Sequence, residues 1–205
     1  MKLLHRPDLY AWSRFDEARN IDFHSVLWVR EGGNVVIDPL PLSAHEQARL
    51  ASLGGVRHLL ITNSDHVRAA RAVADATGAR LYGPVAERDR FPIPCDAWLA
   101  DGDEPVPGLT VHALSGSKTP GELAFVLERS TLITGDLIRA HAGGRLTLLP
   151  DAKLTDRAAA LQSVKRLAAL PEIDAVLVGD GWPVFRQGKA ILTELVQELE
   201  RAESE

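Results

Sequence analysis

The sequence is poor in the residues that several common chemistries require. Its one cysteine, Cys95, excludes an internal disulfide and a zinc site built on thiolates. In "FPIPCDAWL" that thiol reads as a small packed side chain rather than a nucleophile. No window approaches the ~18 consecutive apolar residues of a membrane-crossing helix. The opening "MKLLHRPDLYAW" is interrupted by Pro7 and Asp8, so no signal peptide is expected and the protein is expected to be cytoplasmic. No stretch is strongly basic, and the net charge is −5 with a pI near 5.8. Nucleic acid and anionic membrane are therefore not expected as partners. Internal repeats, low-complexity segments and a Ser-His-Asp pattern are also missing. What is present is ordinary globular composition, 45% hydrophobic and 25% charged, which argues against wholesale disorder. A length of 205 residues suits one domain, expected to span 1–205.

Strand-like segments fall in two clusters. "SVLWVR" and "NVVIDP" flank "EGG" and predict a hairpin over 25–38. A helix capped by Ser43 follows and stops at Gly54-Gly55. "HLLIT" reads as a buried strand, with a helix over 64–77 ended by Gly78, and "ARLYGP" as a strand parallel to it. The proline-rich stretch 83–108 reads as an ordered surface excursion. In the second cluster, "LTVHALSG" alternates like a half-buried strand, and "GELAFVLE" and "STLITGD" form a hairpin around "RS". After a loop at Gly143-Gly144 come a helix through "DRAAALQSVKRLAAL", a buried strand "DAVLVGDG" and a closing amphipathic helix with an acidic tail. Trp12, Trp28 and Trp98 read as core residues. Two runs of strands, each followed by helices, imply two sheets with helices outside.

Three apolar runs end in a carboxylate: "HLLITNSDH", "STLITGD" and "DAVLVGDG" supply Asp65, Asp136 and Asp180. Sheets of α/β type build sites where strand carboxyl ends open into loops. A single such Asp is usually a cap or turn residue. Three together with the turn "SGSKTPGE" point to a site.

The order and spacing of "LLITNSDHVRAA", "GSKTPGE", "LITGDLI" and "VLVGDGW" resemble the metallo-β-lactamase superfamily, in the hydrolase branch that includes glyoxalase II and the lactonases. "NVVIDP" is similar to the strand ending in Asp that precedes those motifs. The resemblance implies an α+β fold, a four-layer αββα sandwich, and hydrolysis of an ester, thioester or lactone. The family pattern runs T-H-x-H-x-D-H, then G-H-T-P-G, then T-G-D, then a glycine-flanked histidine. Aligning Thr62 with the family threonine places Asn63 and Asp65 at the first two histidines, Val67 at the Asp and Arg68 at the next His. Lys118 stands for the histidine of G-H-T-P-G, Asp136 matches the bridging carboxylate, and Asp180 takes the last histidine position. A register slipped onto "DH" at 65–66 ranks second, because it puts Ile61 at a ligand position and leaves the threonine unmatched.

Val67 cannot coordinate, and Arg68 and Lys118 are cations, so the expectation is a degenerate zinc site and no cofactor. The ammonium and guanidinium would take the places of two metals among Asp65, Asp136 and Asp180. Asp65, Lys118, Asp136 and Asp180 are thus the candidate reactive groups, with Asn63, His66, Arg68, Thr119 and Trp182 lining a pocket for a small, anionic molecule. In this register His66 falls between ligand positions, facing either the surface or the ligands from behind. Ser117 beside Lys118 is a further nucleophile candidate that nothing in the sequence positions. Three function classes follow: a divergent hydrolase, a non-catalytic binding relative, and an oxygen-rich site for Mg²⁺ or Mn²⁺ on Asn63, Asp65, Asp136 and Asp180.

Overall fold

The computed structural model describes residues 1–204; Glu205, at the end of the acidic tail, lies outside the described residues. The chain divides into two compact units, residues 1–99 and the residues from Ala100 on.

The first unit carries a seven-stranded sheet in sequence order: β1 (Lys2–Leu3), β2 (Leu9–Asp16), β3 (Ile21–Trp28), β4 (Val35–Ile37), β5 (His58–Leu60), β6 (Arg80–Pro84) and β7 (Ala97–Leu99). The first four strands pair antiparallel, and β4 to β7 pair parallel. The β3–β4 hairpin is the one expected from "EGG". The β2–β3 hairpin is not legible in the sequence, because Ser13, Arg14 and Asp16 interrupt its apolar pattern. Helix α1 (Ala44–Ser52) connects β4 to β5. Its Ser43 cap accepts from the Glu46 N–H while the Glu46 carboxylate accepts the Ser43 N–H.

The continuous helix expected over 64–77 is broken. A 3₁₀ turn covers Ser64–His66, the chain turns at Arg68 with φ +44°, and α2 (Ala70–Thr77) ends at Gly78 in the left-handed region. The expected surface excursion over 83–108 contains a 3₁₀ helix, Val85–Arg90, and the edge strand β7. Three residues between prolines were too short to show a period. Leu27, Val36, Leu59 and Leu81 form the core beneath α1 and α2 with Trp12, which is buried as expected. Trp28 is also buried, whereas Trp98 is only half-buried, edge-on to Phe91.

The second unit holds a sheet ordered β13-β10-β9-β8, built from β8 (Leu109–Ala113), β9 (Leu123–Leu127), β10 (Thr131–Thr134) and β13 (Ala175–Val178). Strands β9 and β10 form the expected antiparallel hairpin. The glycine pair at 143–144 is not an open loop but the turn of a separate hairpin, β11 (Ile138–Ala142) with β12 (Arg145–Leu148). Helix α3 (Arg157–Ala169), capped by Asp156, carries the chain from this hairpin to β13, which lies parallel to β10. Helix α4 (Gly188–Ser204) closes the unit, linked to α3 by Lys165–Glu200 and Arg157–Glu203 pairs. Leu132, Val164, Val176 and Leu192 centre its core.

Candidate functional site

In the first unit, β4 and β5 run parallel with Ile37 opposite Leu60, so the residues leaving their carboxyl ends meet. Asp38, fully buried, accepts from the Thr62 backbone N–H at 2.8 Å and the Thr62 hydroxyl at 2.7 Å. Its Oδ2 also lies 2.7 Å from His66 Nδ1. Arg68 Nη2 stands 3.4 Å from His66 Nε2. A guanidinium only donates, so Nε2 accepts and the ring hydrogen sits on Nδ1, facing Asp38. The surface alternative for His66 is therefore corrected: the ring is 4% exposed and held on both nitrogens. Arg68 also donates to the carbonyls of His24 and Asp38 and lies over the Phe23 ring. Asn63, fully buried, caps the 3₁₀ turn by accepting the Asp65 N–H at 2.9 Å, while Asp65 itself is exposed. The buried Glu87 accepts the neighbouring Ser64 N–H.

In the second unit, register does the assembling. Thr134 pairs with Val178 in parallel, so Asp136 and Asp180, each two residues further on, emerge side by side. Both are 1% exposed. Residues 138–142 then return beside the end of β13: the Ala140 N–H donates to the Asp180 carbonyl, and Ala140 bridges Gly181. Only glycine fits there, because a Cβ on Gly181 would collide with the Ala140 carbonyl, and its φ is +98°. This approach brings Arg139 onto Asp180 in a direct ion pair, with Asp136 Oδ1 at 3.9 Å. On the other side, Lys118 Nζ lies 3.0 Å from Asp136 Oδ2. Two buried carboxylates thus face two cations.

The turn that presents Lys118 is fastened from behind. Glu122, fully buried, accepts from the Ser117 hydroxyl and from the Leu137 N–H, the latter at 2.8 Å. One carboxylate thereby ties the turn bearing Lys118 to the loop bearing Asp136. Ser117 is fully buried, and its hydroxyl is engaged by Glu122. Thr119 is buried, and its hydroxyl has no hydrogen-bond partner among the described residues. The Arg139 Nε–H is likewise buried without an acceptor there. Trp182 is 62% exposed and is attached through its backbone N–H to Ala140.

The structure brings together Lys118, Asp136 and Asp180, which the sequence singles out, with Arg139 and, behind them, Glu122, which it does not. Arg139 sits in "LIRAHAGG", where no pattern marks it, and meets Asp180 only because β11 returns along β13. Glu122 could have been found as the one carboxylate inside an otherwise apolar strand entry, "GELAFVL".

A model of the metallo-β-lactamase superfamily matches residues 1–199. The chain belongs to that superfamily. Among relatives in it, hydroxyacylglutathione hydrolase of Cereibacter sphaeroides is 36% identical over 147 residues, 68% of this chain and 54% of that protein. That of Rhodobacter capsulatus is 33% identical over 129 residues, 60% of this chain and 48% of that protein. The chain spans about half the length of these relatives. Among solved structures, a metallo-β-lactamase from Pontibacter korlensis superposes with a TM-score of 0.74 at 16% identity, covering 98% of this chain and 97% of that one. One from Erythrobacter litoralis with β-mercaptoethanol in its active site gives 0.75 at 16% identity, covering 96% and 95%. The fold class is the expected one, α+β of the metallo-β-lactamase type.

Proposed function

We propose that this member of the superfamily works without zinc and that its strand-end cluster binds a small anionic molecule. The observation that carries the reading is Arg139, whose buried guanidinium is set against Asp180 and Asp136. With Lys118 on Asp136, the two carboxylates are already matched by two cations. A divalent ion placed there would face both cations, each unit-charge pair costing about 4 kcal/mol at ~4 Å in an effective dielectric near 20. That repulsion is what supports a metal-free reading. The imidazole of His66 supports it too, since a donor already stands at its Nε2. Donors without acceptors support an anion instead: the buried Arg139 Nε–H and the Thr119 hydroxyl next in sequence to Lys118. Lys118, its side chain 27% exposed, is the cation of this cluster that a carboxylate from solvent reaches.

A second reading rests on the relatives, which are named hydroxyacylglutathione hydrolases. On it, the chain hydrolyses a thioester, ester or lactone, with Lys118 holding the negative end of the substrate.

Metal content by plasma mass spectrometry, on protein purified without chelator or histidine tag, tests the proposal together with thermal melts. Substoichiometric metal, a melting temperature indifferent to zinc, and a rise with small carboxylates that is lost in Lys118→Met are expected. Near-stoichiometric zinc, or thioester hydrolysis that depends on added zinc, would overturn it and favour the second reading.

A further inference from the structure

At the opposite, amino-terminal ends of β5 and β6, the first unit gathers a second set of cations. Asn34, 5% exposed, is the hub. Its side-chain oxygen accepts the Arg30 N–H at 3.0 Å, and its carbonyl accepts the N–H groups of Arg57 and His58 at 3.0 and 3.1 Å. The Arg80 N–H donates to the Arg57 carbonyl at 2.9 Å, and His58 pairs with Arg80 in register. Arg30, Arg57, His58 and Arg80 are thereby fixed in one row.

Their side chains are seated as well. The Arg30 guanidinium lies 4.8 Å from the centre of the Trp28 ring, and that of Arg80 lies 5.2 Å from the Tyr82 ring. The Arg57 stem runs over Gly33, where a Cβ would overlap it. His58 Nδ1 is 3.1 Å from the Tyr82 hydroxyl. Burial, then the charges of Arg57, Arg30 and Arg80, hold the His58 pKa below its ordinary value.

Elsewhere, Arg14, Arg71, Arg129, Arg145, Arg157 and Arg166 each meet a carboxylate. Arg57 and Arg80 are exposed and make no ion pair among the described residues. Asp8, which accepts from the Trp28 indole, is itself engaged by Arg6.

We infer that this row is a binding site for a small phosphate-bearing anion of the diphosphate type. Guanidinium forks match phosphate oxygens two at a time, and the exposed Arg57 and Arg80 at the starts of neighbouring strands call for a multiply charged ligand. The Trp28 and Tyr82 rings seat the guanidiniums of Arg30 and Arg80, and Asn34 fixes the backbone that carries Arg30, Arg57 and His58.

The experiment is a pyrophosphate titration followed by the His58 ring signals in NMR, with sodium chloride at matched ionic strength as the reference. A saturable shift is expected with pyrophosphate and not with chloride. Arg57→Gln/Arg80→Gln should weaken the apparent affinity at least ~10-fold, from the loss of two charge-assisted contacts. Arg145→Gln, in the second unit, should leave the affinity unchanged. Should the double variant fold poorly, Arg80→Lys keeps the charge but loses the fork, and a several-fold weakening is expected. A shift that chloride reproduces, or an affinity that both Arg57→Gln/Arg80→Gln and Arg80→Lys retain, would overturn the inference. Neither result bears on Lys118 or Arg139, so this site and the strand-end cluster stand or fall separately.

Discussion

Arg139 is the residue on which the second unit's cluster depends. It is 8% exposed and is the direct partner of a carboxylate that is 1% exposed. Burying a charge is costly, and removing one partner leaves the other uncompensated. Arg139→Met should therefore lower unfolding stability by about 3–5 kcal/mol in urea denaturation. Asp180→Asn, which keeps the shape and removes the charge, should cost less. An unchanged midpoint for Arg139→Met would show that the pair carries no net stability. Cys95, by contrast, is inert by environment: burial and the nearby Asp96 push its thiol up to about 11. Its sulfur also occupies the space a Cβ on Gly83 would need, in keeping with a packing role.

At the scale of elements, register and close approach place the functional groups. Parallel pairing of β10 with β13 brings Asp136 beside Asp180, and parallel pairing of β4 with β5 brings Asp38 beside Thr62. The return of β11 along the end of β13 then requires glycine at 181. Gly181→Ala should cost about 2–3 kcal/mol, from overpacking and a left-handed φ. It should also loosen the Arg139–Asp180 pair, seen as faster amide exchange at Ala140 and Trp182, whose N–H groups bond across this contact. Retained protection there would mean that the strand end tolerates a side chain.

For the whole molecule, acid stability is the property that many small electrostatic choices set together. Glu46 is held down to about 2, first by the hydrogen bond from Arg14 and then by Ser43. Asp8 is also lowered: burial raises it, but hydrogen bonds from Arg6 and Trp28 and the Arg6 charge outweigh that. For a carboxylate whose folded pKa lies below its unfolded one, stability is complete above the unfolded value, near 4.5 for Glu46, and declines as pH falls toward 2. Urea midpoints should therefore drop between those limits, and Glu46→Gln should flatten that slope. An equal slope in the variant would place the acid sensitivity elsewhere.

The sequence by itself determined the strand runs, the helix cap at Ser43, and the glycine-flanked carboxylates that mark strand ends. These are local facts: an apolar period, a capping residue or a turn glycine acts on its immediate neighbours. It also determined the family, because the motifs keep the family's order along the chain. Only tertiary structure decided which charges meet. Arg139 reaches Asp180 across 41 residues, Glu122 ties two loops that no periodicity connects, and the helix expected from Ser64 onward breaks where Arg68 turns toward the His24 and Asp38 carbonyls. Such contacts depend on strand register and chain return, which side-chain patterns do not encode.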